Sequence, residues 1–130
     1  MKVLILHGWG GSDFPHWQAW LARELIAKNI IVSFPILPSK DAPKLNDWLE
    51  YLRVEMEHFK PDAVVCHSLA TALWLHFCER FVFEDIDKLM LVAPVRQNCE
   101  ISEISQFFPY PMPKNLRAKN IIAAGSTNDP

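Results

Sequence analysis

The segment Val64-Val65-Cys66-His67-Ser68-Leu69-Ala70 joins an apolar strand pattern directly to a helical pattern, with a serine at the junction. Such a serine can cap the helix by accepting a hydrogen bond from its first turn. It can also be held on a sharp strand-to-helix turn that presents its hydroxyl for attack, an arrangement usually written G-x-S-x-G. Here Cys66 and Ala70 occupy the two glycine places, and they are the next smallest choices. Ser68 is therefore a candidate nucleophile whose assignment depends on the rest of the chain.

Strand patterns and amphipathic helix patterns alternate along the whole chain. The clearest helical period consists of Leu45, Trp48, Leu49, Leu52, Met56 and Phe59. This alternation is typical of a mostly parallel sheet covered by helices on both faces. We therefore predict an α/β fold, a three-layer α/β/α sandwich of about five strands. The predicted strands are Val3–Leu6, Ile30–Phe34, Ala63–Cys66, Lys88–Ala93 and Asn120–Ala124, the predicted helices span 15–28, 45–59 and 69–81, and residues 107–113 are predicted to be a loop.

Composition limits the class of protein. A chain of 130 residues, half of them hydrophobic and 22% charged, predicts one soluble domain over residues 1–130. A net charge of −2 without a basic run argues against nucleic acid or an anionic membrane as partner. The N-terminal apolar run is too short for a signal peptide, and no run is long enough to span a bilayer. Three cysteines without a C-x-x-C pair predict reduced thiols in a cytoplasmic protein, and no metal or cofactor motif is present.

Three polar clusters follow predicted strands. They are residues 7–12, Ser68 and residues 126–129. Because ligands bind beyond the carboxyl ends of parallel strands, these clusters are expected to meet at one edge of the sheet. Asp129 is then placed where a catalytic acid would follow the fifth strand, although an aspartate beside asparagine and proline is also common in plain turns.

Two backbone amides are candidates to stabilise an oxyanion. One is the N–H of Leu69, which directly follows the candidate nucleophile. The other is the N–H of Trp9, since the glycines on either side allow amides of that loop to turn inward. The alternative is a purely structural role, in which the glycines supply the positive φ that a strand-to-helix turn needs and take no part in catalysis. The residues expected to border a substrate pocket are His7, Gly8, Trp9, Gly10 and His67.

The motifs, taken in order, resemble a known family. They are Leu6-His7-Gly8-Trp9-Gly10-Gly11, His16-Trp17-Gln18-Ala19-Trp20-Leu21, Pro35-Ile36-Leu37-Pro38, Leu45-Asn46-Asp47-Trp48-Leu49, Cys66-His67-Ser68-Leu69 and Ser126-Thr127-Asn128-Asp129-Pro130. Across essentially the whole chain this set resembles the small serine hydrolases related to retinoblastoma-binding protein 9 and bacterial YdeN. The resemblance implies a compact α/β-hydrolase fold with little or no lid. It also implies Ser68 as the nucleophile and Asp129 as the triad acid.

The sequence departs from the family pattern in three ways. Ala70 stands where the family usually has glycine. The family's general base is a histidine beyond the acid, and no histidine follows Asp129. The final helix and strand of the family are also missing, so the chain is expected to be truncated, with strand Asn120–Ala124 as an open edge that could self-associate. His67 is expected to face away from the hydroxyl of its neighbour, and His7 is expected to shape its loop.

Three functions follow from these observations. The first is a serine hydrolase that acts on a small ester, thioester or amide through a Ser-His-Asp triad whose histidine is not found in this chain. The second is a catalytically silent protein that binds a partner through the open edge and the aromatic residues 107–110. The third is a nucleotide-binding module, which the charge of Asp13 at the third glycine place of G-x-G-x-x-G argues against.

Overall fold

The five strands form a single sheet in which every neighbouring pair is parallel. The computed structural model describes residues 1–12 and 15–125. The strand order is β2-β1-β3-β4-β5, which confirms the predicted α/β fold of about five strands. In chain order the elements are β1 (Lys2–Leu6), α1 (Trp17–Ala27), β2 (Ile31–Ser33), α2 (Leu45–His58), β3 (Ala63–His67), α3 (Leu69–Arg80), β4 (Ile86–Val92), a 3₁₀ helix (Ser102–Phe107) and β5 (Ala118–Ala124).

Both faces of the central strands are buried, because side chains on a strand alternate between the two faces of a sheet. Val3 and Ile5 of β1 face a small cluster that includes Ala22 of α1. Leu4 and Leu6 face the larger cluster, which α2 and α3 cover. The near-continuous apolar pattern of β1 and β3 is therefore that of strands buried on both sides. Helices on the two faces make the three-layer arrangement.

The helical period of α2 predicted its buried side correctly. Leu45, Trp48, Leu49 and Leu52 are buried, and Met56 and Phe59 pack partly buried against the same cluster. The indole N–H of Trp48 also donates a hydrogen bond to the carbonyl of Pro38 at 2.8 Å. That bond satisfies the one polar atom of the side chain and fastens the loop after β2 to the helix.

Several predicted boundaries were wrong. Helix α1 begins at Trp17 rather than at residue 15, because the ring of His16 accepts a hydrogen bond from the amide of Gln18 and caps the helix there. Strand β2 is shorter than predicted, whereas β4 and β5 each begin two residues earlier than predicted. The two longer strands pair along their added residues, Ile86 with Ala118.

The aromatic residues at the end of the 3₁₀ helix and just after it pack in or against the core. Phe107 is fully buried, and its ring lies 5.3 Å from that of Trp48. The hydroxyl of Tyr110 donates to the carbonyl of Val95 at 2.8 Å. Residues 107–110 were predicted to contact a partner, but Phe107 is buried in the core, and Phe108 and Tyr110 pack partly buried against it. The segment before the predicted loop forms a 3₁₀ helix, Ser102–Phe107, which includes the first residue of that loop.

Strand β5 lies at one edge of the sheet within the described residues. All of its residues after Ala118 are exposed, including Ile121 and Ile122. Within residues 1–12 and 15–125, no helix is both long enough and apolar enough to cross a membrane.

Candidate active site

Ser68 is the single residue between the end of β3 and the start of α3. Its φ of 54° and ψ of −116° lie outside the regions that residues with a side chain normally occupy. Its side chain makes no capping hydrogen bond to the helix, so the capping alternative does not describe this serine. The turn is held from both sides, since the amide of Ser68 donates to the carbonyl of Val92 at 2.9 Å and its carbonyl accepts from the amide of Thr71 at 2.9 Å.

The loop after β1 packs directly against this turn. A Cβ atom placed on Gly8 would lie 3.0 Å from the carbonyl oxygen of His67, 3.2 Å from Cβ of Ser68 and 3.4 Å from the amide nitrogen of Leu69. Only glycine allows the two backbones to approach so closely. The carboxyl ends of β1 and β3 therefore meet, and the close contact falls at Gly8 rather than at the residues that flank Ser68 in sequence.

The glycine-rich loop after β1 is held by hydrogen bonds to the loop after β2 and by one bond within itself. The amide of Gly10 donates to the carbonyl of Lys40 at 2.9 Å, and the amide of Gly11 donates to the carbonyl of Gly8 at 3.2 Å. The indole N–H of Trp9 donates to the carbonyl of Asp41 at 2.7 Å. Trp9 is 41% exposed, so its ring lies at the surface of the loop.

A pocket of about 440 Å³ opens beside Ser68. Its apolar lining consists of Trp9, Leu69, Val95, Ile101 and Ile104, and its polar lining consists of Ser68, Arg96, Asn98, Cys99 and Glu100. Of the five residues predicted to border a pocket, Trp9 is part of this lining. Residues 95–104 were not predicted to contribute. The sequence could have indicated their contribution, because this segment follows the carboxyl end of β4 at the same edge of the sheet, where ligands bind in folds of this kind.

His7 is buried and holds two backbone segments together. Its Nε2 accepts a hydrogen bond from the amide of Leu37 at 2.8 Å. Nδ1 must therefore carry the proton, and it donates to the carbonyl of Gly8 at 2.6 Å. Burial, which outweighs the hydrogen bond to Gly8, lowers the pKa of His7. With both nitrogens engaged by backbone, this histidine shapes the loop and is unavailable as a general base.

His67 and His16 lie together on the α1 side of the turn. Their ring centroids are 4.8 Å apart, and the ring of Trp17 lies 5.5 Å from that of His67. His16 caps α1 through Nδ1, and burial lowers its pKa. These rings pack between β3 and α1.

One predicted cluster falls outside the described residues, and a second pocket lies away from Ser68. Asp129 and Ser126, the third polar cluster, fall outside the described residues. A pocket of about 560 Å³ is lined by residues such as Arg53, Phe81 and Asp85. It includes residues that precede β3 and β4, so it lies at the amino ends of the strands, at the opposite edge of the sheet from Ser68.

Buried histidines predict a loss of stability in mild acid. Burial lowers the pKa of both His7 and His76, whereas in the unfolded chain both protonate near the usual value of about 6.5. Below that pH the unfolded state binds more protons, so stability is full above about pH 6.5 and falls as the pH drops, by up to about 1 kcal/mol per histidine and pH unit. Urea unfolding at pH 7.5 and pH 5 measures the change. Equal midpoints at both values would contradict it, and the loss should shrink in His76→Gln.

The class of this protein follows from its fold and its superposition on a solved structure. The parallel sheet, with a serine on the strained turn after its central strand, has the arrangement of an α/β hydrolase. The crystal structure of the ydeN gene product from Bacillus subtilis superimposes on 98% of this chain and 72% of that chain, with a TM-score of 0.84 and 24% identity. The fold is therefore an α/β-hydrolase fold.

Sequence comparison identifies the family. The profile described as Serine hydrolase matches residues 3–130, and the chain belongs to this family. The putative hydrolase YdeN of Bacillus subtilis (strain 168) is 32% identical over 79 residues, which make up 60% of this chain and 42% of that protein. The matched segment thus spans less than half the length of the curated relative.

Proposed function

We propose that Ser68 is the nucleophile of this hydrolase and attacks the carbonyl carbon of a small ester, thioester or amide. The observation that carries the proposal is the backbone of Ser68, whose strained φ and ψ place the serine on a sharp turn at the wall of the 440 Å³ pocket. The general base takes the serine proton as Oγ bonds to the carbonyl carbon, and the C–O, C–S or C–N bond breaks as the leaving alcohol, thiol or amine receives that proton. Water then hydrolyses the acyl-enzyme and frees the serine.

The oxyanion of this reaction would be held by two backbone amides. Leu69 is the first residue of α3, so its N–H belongs to the amides that have no partner within the helix. Trp9 follows Gly8, and a Cβ atom placed on Gly8 would lie 3.4 Å from that amide nitrogen. We propose the N–H groups of Leu69 and Trp9 as the oxyanion hole. Donors of this kind contribute about 10²- to 10³-fold each in turnover.

The proposal also requires an acid and a general base. Asp129 is the proposed acid, on the family resemblance of residues 126–130. His7 is excluded as the base by its two backbone hydrogen bonds, and no histidine follows Asp129 in the sequence. The general base of the proposed triad is a histidine that we assign to no residue of this sequence.

The pocket lining favours an apolar acyl or aryl group. The apolar side chains of Trp9, Leu69, Ile101 and Ile104 are part of the wall, and Ile104 is 4% exposed. An apolar group that leaves water for this wall gains about 25 cal/mol per Å² buried.

We also propose the cytoplasm as the compartment, since Cys66, Cys78 and Cys99 are free thiols.

Labelling with a fluorophosphonate tests the assignment of Ser68. The probe forms a stable phosphonyl ester on an activated serine, and in the protein together with its general base peptide mapping is expected to find the adduct on Ser68. Ser39 is a matched control, because it too has a positive φ, 51°, but it is exposed in the loop after β2. Ser39→Ala should label like the wild type and Ser68→Ala should not. Adducts spread over several serines would contradict the assignment of Ser68 as the nucleophile.

A catalytically silent binding protein is the second candidate function, and the exposed edge strand β5 favours it. Ile121 and Ile122 are exposed on the two faces of that strand, and its outer backbone groups could pair with a second copy. The labelling experiment separates the two functions, since a silent protein leaves Ser68 unlabelled.

A further inference from the structure

Thr71 is a buried polar residue in an otherwise apolar stretch of α3. It is 2% exposed and lies between Ala70 and Ala72, both fully buried. Its hydroxyl donates a hydrogen bond to the carbonyl of Ser68 at 2.6 Å and accepts one from the amide of Val95 at 3.4 Å. The two bonds are compatible, because a hydroxyl has one proton to donate and lone pairs left to accept.

This hydroxyl joins two parts of the proposed site that belong to different loops. Ser68 carries the strained backbone, and such conformations persist only where the surroundings hold them. Val95 is part of the pocket wall and follows β4. The carbonyl of Ser68 accepts from both the amide and the hydroxyl of Thr71, so the threonine holds the far side of the turn with two bonds.

We propose that Thr71 is a positioning residue that fixes the Ser68 turn relative to the Val95 wall. The proposal rests on the assignment of Ser68 as the nucleophile. Without the hydroxyl, the Ser68 carbonyl keeps one bond from Thr71 and the Val95 amide loses its partner in the helix. The nucleophile then samples orientations in which attack is not aligned, and misplacement of this kind lowers turnover more than substrate binding.

Three variants test this role. Thr71→Val removes the hydroxyl at nearly constant volume, Thr71→Ser keeps the hydroxyl, and Ser33→Ala removes a different hydroxyl bond, from β2 to Glu55. We expect the fluorophosphonate rate at Ser68, measured per folded molecule, to fall about 10-fold in Thr71→Val and less than about 3-fold in Thr71→Ser. Ser33→Ala should react like the wild type. If Thr71→Val folds poorly, Thr71→Ala removes the same hydroxyl without added bulk.

Hydrogen exchange at the Val95 amide provides a readout that does not need catalysis. We expect faster exchange at this amide in Thr71→Val than in the wild type or Thr71→Ser. A wild-type reaction rate in Thr71→Val, or a Thr71→Ser variant as slow as Thr71→Val, would overturn the positioning role. A wild type that does not react at Ser68 would instead overturn the proposed nucleophile. Whether or not Ser68 reacts, unchanged exchange of the Val95 amide in Thr71→Val would overturn the anchoring of the pocket wall by Thr71.

Discussion

Ser68→Ala is expected to lower turnover of an activated ester by about 10⁵- to 10⁶-fold in the protein together with its general base. The reason is that the alanine leaves no atom to form the acyl-enzyme, so only direct attack by water remains. Oxyanion donors and binding then account for a residual rate about 10³-fold above the reaction in water. Release of nitrophenolate under saturating substrate measures the loss.

The matched control for this prediction is again Ser39→Ala, which removes an exposed hydroxyl from a residue of positive φ. That variant should retain wild-type turnover. If Ser68→Ala hydrolysed the ester within about 10-fold of the wild type, the chemistry would have to be assigned to another residue. Thermal unfolding of the two variants checks that neither change acts through loss of the folded state.

Gly8→Ala is expected to lower kcat/KM by about 100-fold, the second largest effect. The added methyl group would lie 3.0 Å from the His67 carbonyl and 3.2 Å from Cβ of Ser68, closer than such atoms normally approach. Backbone surrounds the methyl on this side, so the loop after β1 has to move away from the turn. That movement carries the Trp9 amide away from Leu69 and opens the proposed oxyanion hole.

Gly10→Ala is the matched control for the Gly8 variant. Nothing lies within 4 Å of a Cβ atom at Gly10, although its φ of +85° makes any side chain strained there. This substitution should cost about 1 kcal/mol of stability and leave kcat/KM within a few-fold of the wild type. Steady-state kinetics of Gly8→Ala and Gly10→Ala measure the two losses in kcat/KM. Equal losses in the two would show that the close contact at Gly8 has no special role.

Local patterns were sufficient to predict the layers of the fold. The alternation of strand and helix patterns does not depend on distant contacts, because burial on a strand repeats every two residues and on a helix about every 3.6. The buried side of α2, from Leu45 to Leu52, could therefore be assigned in advance. The ends of β4 and β5 could not, since a strand extends as far as its neighbour offers backbone partners, and here Ile86 pairs with Ala118.

The sequence predicted the candidate nucleophile but not the residues of the pocket wall, because only the first of these is a local feature. Ser68 was identifiable because a serine between a strand pattern and a helix pattern is a local feature. The pocket wall at residues 95–104 was not, because it depends on how the chain after β4 folds back over the sheet. The burial of Phe107 was not predicted either, since no local pattern shows that it packs against Trp48.

The sequence by itself determined that this protein is a mostly parallel α/β sandwich with a serine after its third strand, because those features depend on spacing along the chain. Tertiary structure alone decided three things: the strained backbone of Ser68, the close approach of Gly8 to it, and the protonation of His7 at Nδ1. Each of these depends on hydrogen bonds and contacts between segments far apart in sequence. Such contacts exist only once the sheet has brought the carboxyl ends of its strands together.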